Sequence, residues 1–256
     1  MAIAYQNSDK FTSNNGSFDV GNGANRVLFV FAKSLADTVT NITYDSVALT
    51  KITATTYPGT GRSGLAVWYL VAPTANTNTI TLTGVFEDYI AISYRFAKQT
   101  GVPDSSHVDT ASSVDTITGT TTSVLDNCWT LIGETSSGTD TQTAGTGTTQ
   151  RQKDDSRSWF VGDSNGPIYP AGSTSLVVDF SGTVTAITSI IVSFAEVPPA
   201  DISETEEVTV SETTQTGPGT SETETITLSD TNTKTGYGWV NEDKSSAPTW
   251  VNEDKS

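Results

Sequence analysis

Apolar residues in this chain come in short unbroken runs or at every second position, and nowhere keep helical spacing over the length of a helix. That pattern restricts the chain to β structure. Arg26-Val-Leu-Phe-Val-Phe-Ala32 and Gly64-Leu-Ala-Val-Trp-Tyr-Leu-Val71 are continuous enough to be strands covered on both faces, while Tyr89 to Phe96 alternates, with Ile90, Ile92, Tyr94 and Phe96 on one side. Further strands are expected at 41–50, 79–83, 116–124, 128–134, 158–161, 175–180 and 187–195, with Asp45-Ser46 as the tip of a tight hairpin. About ten strands with short connections imply two packed antiparallel sheets.

Composition agrees with the pattern. Threonine supplies 46 of 256 residues and charged residues only 16%, and threonine, stiff at χ1, suits a half-buried pleated surface. The polar stretch from Thr135 to Arg157 is too long for an ordinary connection and is expected to be a surface loop or to hide a short strand.

Charge separates the chain into two parts. The formal net charge is −16, and residues 201–256 hold twelve acids against three lysines. Binding nucleic acid requires a basic stripe that displaces counterions, so no nucleic-acid partner is expected. No apolar run approaches a membrane span, and Met1 to Ser8 lack the basic and apolar regions of a signal peptide, so a cytoplasmic product without membrane contact is expected. Pro198-Pro199 marks the boundary: 1–199 is expected to be the sandwich and 200–256 an acidic, hairpin-rich extension.

The extension is repetitive. Ser203 to Glu212 and Ser221 to Asp230 are loosely alike, and Trp239-Val-Asn-Glu-Asp-Lys-Ser245 recurs identically as Trp250 to Ser256. Packing alone does not require identity in both copies. Trp239 and Trp250 are therefore candidate anchors on a partner, with Asn241 and Asn252 turning the chain and Lys244 and Lys255 pairing locally or across the contact. The competing reading is a pair of strands or turns whose tryptophans cover the sandwich edge.

Chemistry-bearing residues are sparse. His107 is the only histidine and sits in the polar segment Pro103 to Asp109, with no nucleophile elbow anywhere, so no catalytic residue is expected. One histidine and one cysteine cannot make a zinc site, and Cys128 reads as a small buried hydrophobe. Glu87-Asp88 and Asp154-Asp155 read as solvated loop charges, with a loop calcium site as the alternative; no cofactor is expected. Trp68, Trp129 and Trp159 read as core, whereas Tyr57 and Tyr169, each preceding a proline, could form a ligand loop.

Ile42 to Thr50, Val67 to Pro73 with Thr77 to Ile80, Ala91 to Phe96 and the closing Ile190 to Pro198 follow one another in an order that resembles a jelly-roll-type β-sandwich widespread in tailed-phage structural proteins and some bacterial surface proteins. The resemblance implies a fold and no catalytic residues. It implies a non-enzymatic virion component, a decoration, head-fibre or tail-associated protein, joined to capsid or tail subunits or to further copies of itself. The alternative is an adhesion module that takes a host surface glycan through its loops.

Overall fold

The computed structural model describes residues 2–34, 38–56, 64–137 and 140–197, all within one compact unit, Met1–Pro199. Among the described residues there are seventeen strands and no helix. The first nine strands are β1 (Ala4–Phe11), β2 (Asn15–Asp19), β3 (Val27–Ser34), β4 (Val39–Tyr44), β5 (Val47–Ala48), β6 (Thr50–Thr56), β7 (Gly64–Val71), β8 (Thr77–Gly84) and β9 (Asp88–Arg95). The other eight are β10 (Ser105–Ala111), β11 (Val114–Thr122), β12 (Trp129–Ser136), β13 (Gln142–Ala144), β14 (Thr149–Asp154), β15 (Trp159–Asp163), β16 (Ser173–Val184) and β17 (Ile187–Phe194).

Strand order reveals an internal duplication. The first half forms a sheet ordered β1-β9-β3-β7-β6 against one ordered β2-β8-β4-β5; the second forms β10-β17-β12-β15-β14 against β11-β16-β13. Replacing each strand of the first half by its counterpart reproduces the second, apart from the two-residue β5. Every pairing is antiparallel. The expected two sheets are thus four, stacked as outer, inner, inner, outer.

Each gap between layers holds its own apolar core. Leu28, Val30 and Ala32 of β3 face Ile42, Tyr44, Ile80 and Leu82 inside the first half, and Ile132, Phe160 and Ile191 face Ile117, Leu176 and Val178 inside the second. The alternate residues Phe29, Phe31, Ile90 and Ile92 face Leu131, Trp159, Val161, Ile190 and Val192 in a third core that joins the halves. Continuous apolar runs in β3, β7 and β9 are therefore explained by burial on both faces.

Counterparts meet across this joint, as residues do about a two-fold axis. Phe31 pairs with Ile90 in register as Gly133 pairs with Ile190, which makes Phe31 and Gly133 equivalent. A Cβ built on Gly133 would lie 2.2 Å from the Phe31 ring. The absent side chain of one half makes room for the ring of the other. Likewise Tyr94 and its counterpart Phe194 are in contact, with ring centroids 4.9 Å apart and planes tilted by 54°.

Several sequence expectations are met and others corrected. The hairpin tip forms at Asp45 and Ser46, both at positive φ (51° and 66°), as a two-residue connection between twisted strands requires. Trp68, Trp129 and Trp159 are core, and the 135–157 stretch contains β13 and β14. His107 is not on a loop but on β10, a strand at the edge of its sheet. Its polar sequence hides it, because the strand is held by backbone pairing to β17 rather than by buried side chains.

Candidate functional site

Ion pairs cluster at one end of the joint. In register, Lys33 of β3 stands opposite Asp88 of β9, and both face the second half. The Lys33 ammonium donates to the Arg157 carbonyl and lies 3.5 Å from Glu87, while Arg157 Nη1 donates to the Glu87 carbonyl at 3.1 Å and its Nε lies 3.9 Å from Asp88. Lys10 of β1 donates to Asp154 of β14 at 2.5 Å. Every one of these contacts except the Lys33 to Glu87 pair crosses between halves.

Asp88 and Asp154 are both buried, so the expectation of solvated loop charges fails for them. Alternation places each on the strand face turned to the joint. Burial pushes the Asp88 carboxyl up from 3.8 to about 6 against the pull of Lys33 and Arg157. For Asp154 burial is outweighed by hydrogen bonds from Lys10 and Ser156, which hold it below 3.8. Lys10 serves Asp154, whereas neither carboxyl oxygen of Asp88 accepts a hydrogen bond and Arg157 at 3.9 Å is its ion-pair contact; among the described residues no group of three or more His, Cys, Asp or Glu is placed to hold a metal ion.

The opposite end of the joint carries a second polar network. Tyr94 donates to Asp163 Oδ2 at 2.7 Å, Arg151 Nε donates to the same oxygen at 2.8 Å, and the guanidinium lies 4.3 Å over the Tyr5 ring. Arg151 also reaches Asn165 Oδ1 at 2.7 Å. Both ends of the joint are thus tied, with an apolar core between them.

Exposed apolar residues gather on two adjoining connections of the second half. Val124 is 70% exposed and Tyr169 is 73% exposed, with Leu125 beside them. Asn127 N donates to the Ile168 carbonyl at 2.9 Å, Ala171 N to Asp126 Oδ1 at 2.7 Å and Ser123 N to the Gly172 carbonyl at 3.0 Å, so 123–127 and 168–172 form one surface. Asp104 ties β10 to it, accepting from Val124 N at 2.8 Å and Ser193 Oγ at 3.1 Å. Cys128 lies beneath, and burial, with the Asp104 carboxylate close by, pushes its thiol up to about 12.

Of the sequence-predicted binding residues, Tyr169 falls on this surface. Tyr57, Trp239, Asn241, Lys244, Trp250, Asn252 and Lys255 lie outside the described residues. The strand ends that bound the Tyr57 connection, Thr56 and Gly64, pair beside Ser34 at the Lys33 end of the body, whereas Tyr169 follows Asp163 at the other. His107 is exposed, with Nε2 3.4 Å from Asp109 Oδ1.

No protein-family model matches this chain, and no curated protein is similar to it.

Proposed function

We propose that the chain is a non-enzymatic structural component of a tailed-phage virion, a decoration, head-fibre or tail-associated protein, joined to capsid or tail subunits or to its own copies through residues 200–256. The observation that carries this reading is the doubled body. In each half the first strand lies beside the last in one sheet and the second beside the last but one in the other. That winding supports reading each half as a jelly roll. Two such blocks fused across an apolar joint with ion pairs or polar networks at both ends make a stiff unit suited to a mechanical role.

Attachment would fall to Trp239 and Trp250, whose duplicated setting suits a repeated surface. Mass spectrometry of purified particles should find this polypeptide at a fixed ratio to the capsid or tail proteins; its absence overturns the reading. Trp239→Ala with Trp250→Ala in the full chain should abolish particle association while leaving the sandwich folded, and retained association overturns the attachment role.

A second reading is supported by the Val124, Leu125 and Tyr169 surface, where an exposed aromatic ring beside aliphatic side chains and the Asp126 carboxylate could receive a host glycan. Glycan-array binding lost on Tyr169→Ala would favour it, and a blank array would remove it.

A further inference from the structure

The internal duplication exposes one place where the halves differ in kind. Ala32 of β3 stands opposite Tyr89 of β9, and the counterpart pair in the second half is Glu134 of β12 opposite Ser189 of β17. In the first half this position is filled by aromatic packing: the Tyr89 ring stacks on Phe11 at 5.0 Å and meets Phe86 edge-on at 5.9 Å. In the second half a carboxylate replaces a methyl group and a hydroxymethyl replaces a phenol. Ring volume is lost, and oxygen atoms are gained.

Those oxygens lack partners. Glu134 and Ser189 share the face of Ile132 and Ile191, turned into the core of the second half. From the facing sheet, Gln142 reaches in and donates from Nε2 to Ser136 Oγ at 3.4 Å. All four residues are buried. Yet both carboxyl oxygens of Glu134, Gln142 Oε1 and Ser189 Oγ have no hydrogen-bond partner. Facing side chains in register sit within ~5.5 Å at Cβ, so Glu134 and Ser189 are close while their oxygens stay beyond hydrogen-bonding range. Oxygens that share a cation at roughly 2.3–2.6 Å are spaced in that way.

Lys153 shares this face, in line with Glu134 through Phe160, but its ammonium is engaged elsewhere. Lys153, two strands away, donates to the Gln142 carbonyl at 3.2 Å and pairs with Asp155 at 2.9 Å, and Lys33 lies on the other side of the inner sheet. Burial pushes Glu134 well above the ordinary carboxyl range, with only Lys33 pulling the other way. A buried, ionised carboxylate without a partner is too costly to persist.

We propose that Glu134, Gln142 and Ser189 form a site for a hard, oxygen-seeking cation inside the second half, with calcium or sodium as the fitting class. One carboxylate, one amide oxygen and one hydroxyl supply protein ligands of the type such ions take, and water completes the shell. A bound ion would neutralise Glu134 and fill the volume that Tyr89 occupies in the first half.

The test is thermal unfolding of the full chain at pH 8 in calcium, sodium or potassium chloride, each against tetramethylammonium chloride at equal ionic strength. Calcium or sodium should raise the midpoint saturably, by about 5–10 °C at a hundredfold excess over Kd. The rise should vanish in Glu134→Gln. Should that variant fail to fold, Glu134→Ala with Ser189→Tyr places the first half's own residue pair at this position and should fold without any cation response. Equal midpoints in all four salts, or a rise that survives in either variant, would overturn the site and leave Glu134 neutralised by a proton alone.

Discussion

Tyr94 of the first half donates its hydroxyl proton to Asp163 of the second across 2.7 Å, and both residues are fully buried. Burial and the adjacent carboxylate raise the Tyr94 hydroxyl well above its usual range, so it remains a donor under all ordinary conditions. Arg151 donates to the same oxygen, and Asn165 N caps the other at 2.9 Å. Tyr94→Phe keeps the ring in the joint and removes one donor to a charged acceptor, a loss of about 1.5–3 kcal/mol. Urea denaturation should show a lower midpoint with an unchanged slope. A coupling free energy near zero in the cycle with Asp163→Asn would show that the bond contributes nothing.

Gly133 faces Phe31 with no space for a methyl group, since its Cβ would sit 2.2 Å from the ring. Gly133→Ala should therefore destabilise by about 1–3 kcal/mol through overpacking, although alanine suits a strand better than glycine. Phe31→Ala alone leaves a cavity of the kind that costs about 3–5 kcal/mol. The double variant should be more stable than the sum of the two losses, because each relieves the other. Strict additivity in chemical denaturation would contradict the contact.

Much of this fold can be read directly in the sequence, and the reason is specific. β3, β7 and β9 are buried on both faces and so appear as apolar runs, and the core tryptophans Trp68, Trp129 and Trp159 sit within such runs. β1, β10 and β14 are edge strands in which partly buried polar residues are frequent, and an edge is defined by its neighbour rather than by its own residues. The duplication is invisible for a related reason. Counterparts such as Phe31 and Gly133, or Ala32 and Glu134, differ because each fits a different neighbour, and period-two alternation records the pleat without the pairing. Asp88 and Asp154 are illegible as joint residues, since only the stacking of the two inner sheets brings them near each other.

The pH dependence of stability follows from the two aspartates at the Lys33 end. Asp88 has its folded value raised from 3.8 to about 6, so protonation favours the folded state; stability should fall as pH rises through the interval between those values and level off above it. The cost of ionisation is on the order of 3 kcal/mol. Glu134, raised for the same reason, adds a slope of the same sign from 4.5 upward. Asp154 has its folded value lowered, so it contributes stability above 3.8 that is lost as pH falls further. Acid titration of the unfolding free energy should thus pass through a maximum near pH 4. Asp88→Asn should flatten the limb between pH 4 and 6 and leave the acid limb unchanged; an unaltered upper limb would exclude Asp88 as its source.

Cys128 tests the packing beneath the exposed loops. Its Sγ approaches the Leu125 carbonyl at 3.0 Å and Asp104 Oδ2 at 3.4 Å, an acceptor-rich setting that disfavours a thiolate. With the thiol buried and pushed up to about 12, only a minute fraction is ionised near pH 8. The native chain should resist a disulfide reagent such as Ellman's over hours and react fully once unfolded in guanidinium. Asp104→Asn removes the nearer negative charge and loosens the tie to Val124, so it should speed modification severalfold. Rapid labelling of the native wild-type chain would mean that the 123–128 connection opens far more readily than its hydrogen bonds to 168–172 imply.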